Sequence, residues 1–167
     1  MDLCSGCGVI GLELATHIKE INKMDFVEVQ TVYKDFFDKN LYMIRPDATE
    51  FHFINANYEE LKTHEYREKY DVILSNPPYF FVGEGLMSPN EFKNRCRFFI
   101  DSSLKELIAT VEFTLKPKGC AYLLIRPGTH HGRNLEMEIK ELLSRNLSAE
   151  VIDDVRGTNI LKISKKI

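Results

Sequence analysis

Short β-rich apolar runs alternate along this chain with stretches whose apolar positions recur every three or four residues. The runs near 25–30, 50–55, 70–75 and 119–126 read as strands, with a strand stub at 2–4 and a closing pair near 149–155 and 159–164. Helical periodicity covers 9–22, 32–41, 101–116 and 133–146; in the last, Leu135, Ile139, Leu142, Leu143 and Leu147 share one stripe. Lys116-Pro117-Lys118-Gly119 reads as a stop between helix and strand, and Arg156-Gly157-Thr158-Asn159 as the turn of an antiparallel hairpin. Strands alternating with helices predict an α/β fold built on a parallel sheet.

Composition narrows the class. The chain has 167 residues, 44% of them hydrophobic and 28% charged, which suits one globular domain over 1–167 with no internal repeat or linker. A net charge of −3 argues against a strongly basic nucleic-acid binder, while leaving room for a local basic face. No apolar run approaches the roughly 18 residues of a membrane span, and no basic segment followed by an apolar one marks secretion. The expected compartment is therefore cytoplasmic, and the four cysteines are expected as reduced thiols. A first strand of three or four residues is short for the centre of a sheet, so an upstream segment is expected to be missing from this chain.

Chemistry concentrates in two places. The loop Asp2-Leu3-Cys4-Ser5-Gly6-Cys7-Gly8-Val9-Ile10-Gly11 runs from a strand stub into a helix, where glycines let backbone approach a ligand and a helix start offers free N–H groups. Such a loop is also a common structural turn. Glu28, twenty residues after Gly8, would present a carboxylate to a ribose diol from the end of the second strand. The second place is Asn76-Pro77-Pro78-Tyr79, at the end of the run Tyr70-Asp71-Val72-Ile73-Leu74-Ser75. Two prolines end the strand and remove two donors. The Asn76 side-chain oxygen and the Pro77 carbonyl are then free to accept from a planar NH2 group, with the Tyr79 ring against its plane. Taken alone, the tetrapeptide is equally a tight strand-to-loop turn. Cys4 and Cys7 sit within the glycine loop, and Cys96 and Cys120 form no second close pair, so no metal site is expected.

Together, Asp2 to Gly11, Glu28 and Asn76–Tyr79 resemble the class I S-adenosylmethionine-dependent methyltransferases, and within them the branch that methylates exocyclic amino or amide nitrogens. The resemblance covers essentially the whole chain. It implies a Rossmann-like, doubly wound seven-stranded sheet ordered 3-2-1-4-5-7-6 with strand 7 antiparallel, S-adenosyl-L-methionine as cofactor and S-adenosyl-L-homocysteine as product. It also implies cofactor contacts at Asp2, Cys4, Gly6, Gly8, Glu28, Asn57 and Asn76, and acceptor chemistry at Asn76, Pro77, Pro78 and Tyr79. Two positions depart from the family pattern. Cys4 stands where the family often has glycine, and Asn57 where many members carry an Asp for the adenine amino group, so weaker binding is expected.

Gly83 to Arg95 reads as a mobile loop. Its Ser88-Pro89 and Arg95, with Arg126-Pro127 after the fifth strand, resemble bacterial tRNA adenosine N6-methyltransferases of the small methyltransferase domain group. The expected partner is RNA, tRNA foremost. Lys93, Arg95, Arg97, Arg126 and Arg133 then suit a phosphate-contacting rim, or are ordinary solvated charge. Release-factor glutamine N5-methyltransferases share Asn-Pro-Pro-Tyr, so a protein acceptor stays open. A non-catalytic module of the same fold is the reading from another class. A nicotinamide-dependent oxidoreductase has no account of Asn76–Tyr79. His130-His131 is expected to face solvent, Lys162–Lys166 to be a solvated end, and the pairs Phe36-Phe37 and Phe98-Phe99 to be core.

Overall fold

A computed structural model describes residues 1–44 and 49–166. Seven strands form one sheet: β1 (Asp2–Leu3), β2 (Lys23–Glu28), β3 (Glu50–Asn55), β4 (Tyr70–Ser75), β5 (Leu115–Ile125), β6 (Leu147–Asp154) and β7 (Asn159–Lys165). Their order across the sheet is β3-β2-β1-β4-β5-β7-β6. β1 pairs in parallel with β2 and β4, β4 in parallel with β5, and β7 runs antiparallel to both β5 and β6. The doubly wound α/β order and the reversed strand are those expected. β1 occupies the centre with two residues, Asp2 beside Phe26 and Leu74, and Leu3 beside Val27 and Ser75.

Helices α1 (Val9–His17), α2 (Tyr33–Ile44), α3 (Glu91–Arg97), α4 (Leu104–Thr114) and α5 (Leu135–Leu142) connect the strands. Alternation along the strands splits the core in two. Met24 and Phe26 pack with Leu12 of α1 and Phe37 of α2, whereas Val27, Leu3 and Ile73 pack with Leu107, Ile108 and Val111 of α4 and Ile139 of α5. Burying a Phe26- or Phe37-sized side chain stabilises by roughly 1.5–3 kcal/mol.

Several boundaries differ from the periodicity, and capping explains some of them. α4 starts at Leu104 because the Ser103 side chain accepts from the Glu106 N–H, and α5 starts at Leu135 because Asn134 does the same for Met137. α1 stops at His17, short of the apolar Ile18 and Ile21 that extend its pattern. Leu147 belongs to β6. Lys116–Gly119 lies inside β5, as an irregularity: Tyr70 pairs with Leu115 and Val72 already with Cys120, while Lys118 takes φ +66°. Within the expected mobile loop, Asn90 caps α3 and the Asn94 amide bonds both the N–H and the C=O of Ser88. Lys165 is no solvated end: its ammonium donates to Glu68 and to the Glu112 and Leu115 carbonyls. Of the aromatic pairs, Phe37, Phe98 and Phe99 are buried and Phe36 is exposed. His131 is exposed and His130 half-buried, bonding the Pro127 carbonyl. In the hairpin turn, Arg156 and Gly157 are both left-handed, a type I′ geometry matched to strand twist.

Candidate active site

The glycine loop is held from two sides. On one, the Glu28 carboxylate at the end of β2 accepts from the Gly6 N–H at 2.9 Å and from the Gln30 N–H at 2.8 Å. Glu28 is buried, and burial pushes its carboxyl above the usual carboxylate range. On the other, Asp2 Oδ2 accepts from the Gly11 N–H at 3.0 Å, fixing the first turn of α1. Asp2 is 1% exposed and its Oδ1 has no partner; burial raises its carboxyl to about 7. Each carboxylate therefore organises backbone first, and each Glu28 oxygen keeps lone-pair capacity beyond the bond it accepts.

The glycines divide the work. Gly6 lines the cavity, and nothing lies within 4 Å of where its Cβ would be. Gly8 lies outside the lining: at φ +77° its Cβ would meet the Phe37 ring at 2.7 Å, so it sets how closely α1 approaches α2. Cys4, at the glycine-favouring position, takes φ +60°. A side chain there costs about 1–2 kcal/mol. Its thiol lies beside the cavity, and burial pushes its ionisation far up, keeping it neutral.

A cavity of about 300 Å3 opens beyond the C-terminal ends of β1, β2 and β4. Ser5 and Gly6 of the glycine loop, Glu28 at the end of β2 with Gln30 and Tyr33 beyond it, Asn57 and Tyr58 after β3, Asn76 and Pro78 after β4, and Cys96 and Asp101 line it together. Of the sequence-derived cofactor residues, the cavity brings together Cys4, Gly6, Glu28, Asn57 and Asn76; Asp2 and Gly8 sit behind the loop. Asn57 Nδ2 donates to the Asp101 carbonyl at 2.8 Å, and its Oδ1 takes a long 3.4 Å bond from the Glu59 N–H. Ser5 Oγ and Gln30 Oε1, both on lining residues, are buried without a partner. Sequence reasoning missed Gln30, Tyr33, Cys96 and Asp101, because nothing in their spacing marks them. Cys96 Sγ lies 3.0 Å from the Tyr33 hydroxyl and 3.4 Å from Gln30 Nε2, linking α3 to the β2 side. Among the described residues no three His, Cys, Asp or Glu side chains are grouped to hold a metal.

At the motif, β4 stops with Ser75 and Asn76 is exposed. Pro77 is buried and Pro78 faces the cavity. The Tyr79 hydroxyl donates to Asn76 Oδ1 at 2.5 Å, so one of the two lone pairs expected to be free is engaged. Burial raises the Tyr79 phenol, which keeps it a donor. The Tyr79 N–H bonds the Arg97 carbonyl, and Phe80–Phe81 pair with Phe98–Phe99 as a two-strand parallel ladder. The motif is thereby tied to the end of α3.

The arginines sort by partner. Arg95 lines the cavity but is held by Asp101 through three bonds of 2.7–3.0 Å. Arg133 is engaged by Glu138 and Glu84 and lies over the Phe81 ring. Arg97 and Arg126 are exposed, at 5.4 and 5.3 Å from the Phe80 ring centre. Arg126 also lines a small crevice with Tyr79, which shares no lining residue with the cavity. No helix among the described residues is long and apolar enough to cross a membrane.

Comparison with known proteins bears on the family and the fold. A tRNA1(Val) (adenine(37)-N6)-methyltransferase of Christiangramia forsetii is 28% identical over 158 residues, 95% of this chain and 62% of that protein. The chain spans between 55% and 62% of the length of the curated relatives it matches. Among solved structures, TrmN from Thermus thermophilus superposes with a TM-score of 0.64 at 17% identity, covering 98% of this chain and 42% of that one. The ribosomal protein L11 methylase of Lactobacillus delbrueckii gives 0.64 at 12% identity, covering 99% and 69%. At these identities the two superpositions speak for the fold alone. The family profile described as "Methyltransferase small domain" matches residues 1–88, which hold the glycine loop, Glu28 and Asn76–Tyr79, and the chain belongs to that family.

Proposed function

We propose that this chain transfers a methyl group from S-adenosyl-L-methionine to an exocyclic amino nitrogen, N6 of an adenosine in tRNA or another structured RNA. The observation that carries the reading is a single cavity lined by the glycine loop, Glu28 and Asn57 together with Asn76 and Pro78. Its volume, about 300 Å3, is at the lower end of small-ligand sites. The orphaned Ser5 Oγ and Gln30 Oε1, with the spare capacity of Glu28, suit a ligand rich in hydroxyl and ammonium groups. When bound, the cofactor supplies a sulfonium methyl that is displaced in line, its C–S electron pair staying on sulfur.

In this reading Glu28 accepts from the ribose hydroxyls, and Asn57 Oδ1 accepts from the adenine amino group. Gly6 lets the backbone lie close to the ligand. Asp2 and Gly8 act at one remove, by fixing α1. On the acceptor side, Asn76 Oδ1 and the Pro77 carbonyl accept from the two N–H atoms of the target. That favours a more pyramidal nitrogen and stabilises the positive charge that develops on it. Tyr79 holds the acceptor plane, a stacking contribution of roughly 1–3 kcal/mol. The proton leaves after transfer, so no dedicated base is needed. A base in a duplex cannot reach such a site, which favours loop nucleotides. Arg126 belongs to the substrate side, whereas the Asp101 pairing turns Arg95 toward a structural task.

The test is labelled-methyl transfer into total tRNA, rRNA and release factor taken from cells lacking this protein. Label recovered as N6-methyladenosine from tRNA is expected. Label in release-factor glutamine instead would move the acceptor to protein. No detectable S-adenosylmethionine binding by calorimetry would leave a non-catalytic module.

A further inference from the structure

Arg97 and Arg126 reach the same aromatic ring from different parts of the chain, one at the last residue of α3 and the other just past β5. Their guanidinium carbons lie 5.4 and 5.3 Å from the Phe80 centre, so they are no farther apart than the sum of those distances. Among the described residues, neither has a carboxylate within ion-pair reach, although Arg95 and Arg133 close by are both paired. The ring face attracts each guanidinium, while among the described residues no carboxylate neutralises either. The exposed His131 ring adds an edge contact to Phe80. The group is anchored to the acceptor motif: Phe80 follows Tyr79 directly, and the Tyr79 N–H bonds the Arg97 carbonyl at 3.1 Å.

We propose that Arg97 and Arg126, set around Phe80, form the phosphate clamp for an RNA strand whose target base enters the cavity at Asn76. Guanidinium groups match phosphate oxygens two at a time, and neither of these two is held by a carboxylate among the described residues. The choice of RNA over protein follows from the charge pattern. A polynucleotide carries phosphates on both sides of whatever base enters the cavity, whereas a glutamine side chain brings no obligatory charge. In a chain of net charge −3, an unpaired cationic pair beside the motif is a local exception to the bulk balance. Of the basic rim read from sequence, the clamp keeps Arg97 and Arg126 and releases Arg95 and Arg133 to intramolecular ion pairs. The clamp rests on the RNA reading given above.

Fluorescence anisotropy without cofactor tests it, using a labelled RNA hairpin with an adenosine in its loop. Wild type is compared with Arg97→Ala/Arg126→Ala, with Arg97→Lys/Arg126→Lys, and with Lys19→Ala, which lies between α1 and β2 at the far end of the sheet. The double alanine variant is expected to bind about 10²-fold more weakly at low salt. Its log–log salt slope should shrink by roughly 0.7 for each guanidinium lost. The double lysine variant should retain most of the slope, and Lys19→Ala should match wild type. An unchanged slope and affinity in a double alanine variant with native melting temperature would overturn the clamp, as would a wild type that does not bind the hairpin. Loss of release-factor labelling with RNA binding intact would assign the surface to a protein and overturn it as well. Failure of methyl transfer with the expected slope change would sink the activity and leave the clamp standing.

Discussion

The two walls of the cavity are built in opposite ways. On the glycine-loop wall the acidic groups are buried and locked by backbone: Glu28 accepts two main-chain N–H bonds, and Asp2 accepts a third from Gly11. On the motif wall Asn76 is exposed, and its side-chain oxygen is held by one neighbouring hydroxyl. The first wall is therefore set by folding, and its geometry comes with the core that Phe26 and Phe37 build. The second depends on local side-chain contacts that an incoming group can exchange. A site for a constant small ligand beside a site for a bulkier acceptor suits such a division.

The largest expected effect separates the walls by function. Asn76→Ala should lower the rate of methyl transfer by about 10²–10³-fold, the loss typical of one such stabilising hydrogen-bond group. Calorimetry should find its cofactor affinity within about tenfold of wild type. Normal turnover would show that the amide does not orient the acceptor.

Next comes stability. Gly8→Ala places a Cβ against Phe37 and a side chain at φ +77°, and should cost about 2–4 kcal/mol in urea unfolding. An unchanged unfolding midpoint would mean that the loop wall is not set by the helix packing behind it.

Tyr79→Phe should have a smaller effect, a loss of up to about tenfold in kcat with cofactor binding retained, since it keeps the ring and removes one hydrogen bond. A loss as large as that of Asn76→Ala would make the motif wall as rigid as its counterpart.

A fourth effect is read through pH. The Asp2 carboxyl, raised from 3.8 to about 7 by burial, binds its proton more tightly in the folded protein. Its contribution to stability is thus complete below about pH 4 and lost as pH rises through about 7. Melting temperature should fall across that window, and fall less in Asp2→Asn. Equal slopes in both proteins would place the titration elsewhere.

Much of this fold was legible before the structure. Alternating runs located the strands, and the family resemblance supplied their order and the one reversed strand. Periodicity overran the helices because it registers apolar spacing and not the caps: Ser103 and Asn134 end the pattern where hydrogen bonding begins. It also missed that Lys116–Gly119 could sit within a strand, since a bulge absorbs residues without a hydrophobic signature. Of the residues that line the cavity, Gly6, Glu28 and Asn76 stood out through motif spacing and Asn57 through the family resemblance. Gln30, Cys96 and Asp101 did not, because they meet the cavity through contacts between elements distant in sequence. The pairing state of the arginines was equally hidden; Arg95 and Arg97 look alike in sequence, and only the fold supplies a carboxylate to one of them.

The ladder of Phe80–Phe81 with Phe98–Phe99, together with the Tyr79–Arg97 main-chain bond, makes the motif and the end of α3 one mechanical piece. That piece also carries Cys96, whose sulfur rests against Tyr33 and Gln30, which follow β2. In the proposed reaction, any shift of the motif on acceptor entry would reach the Tyr33 and Gln30 contacts through this piece. For the two proposed subsites the expected consequence is linked occupancy, and such linkage is reciprocal: whatever factor the donor adds to acceptor affinity, the acceptor returns to the donor.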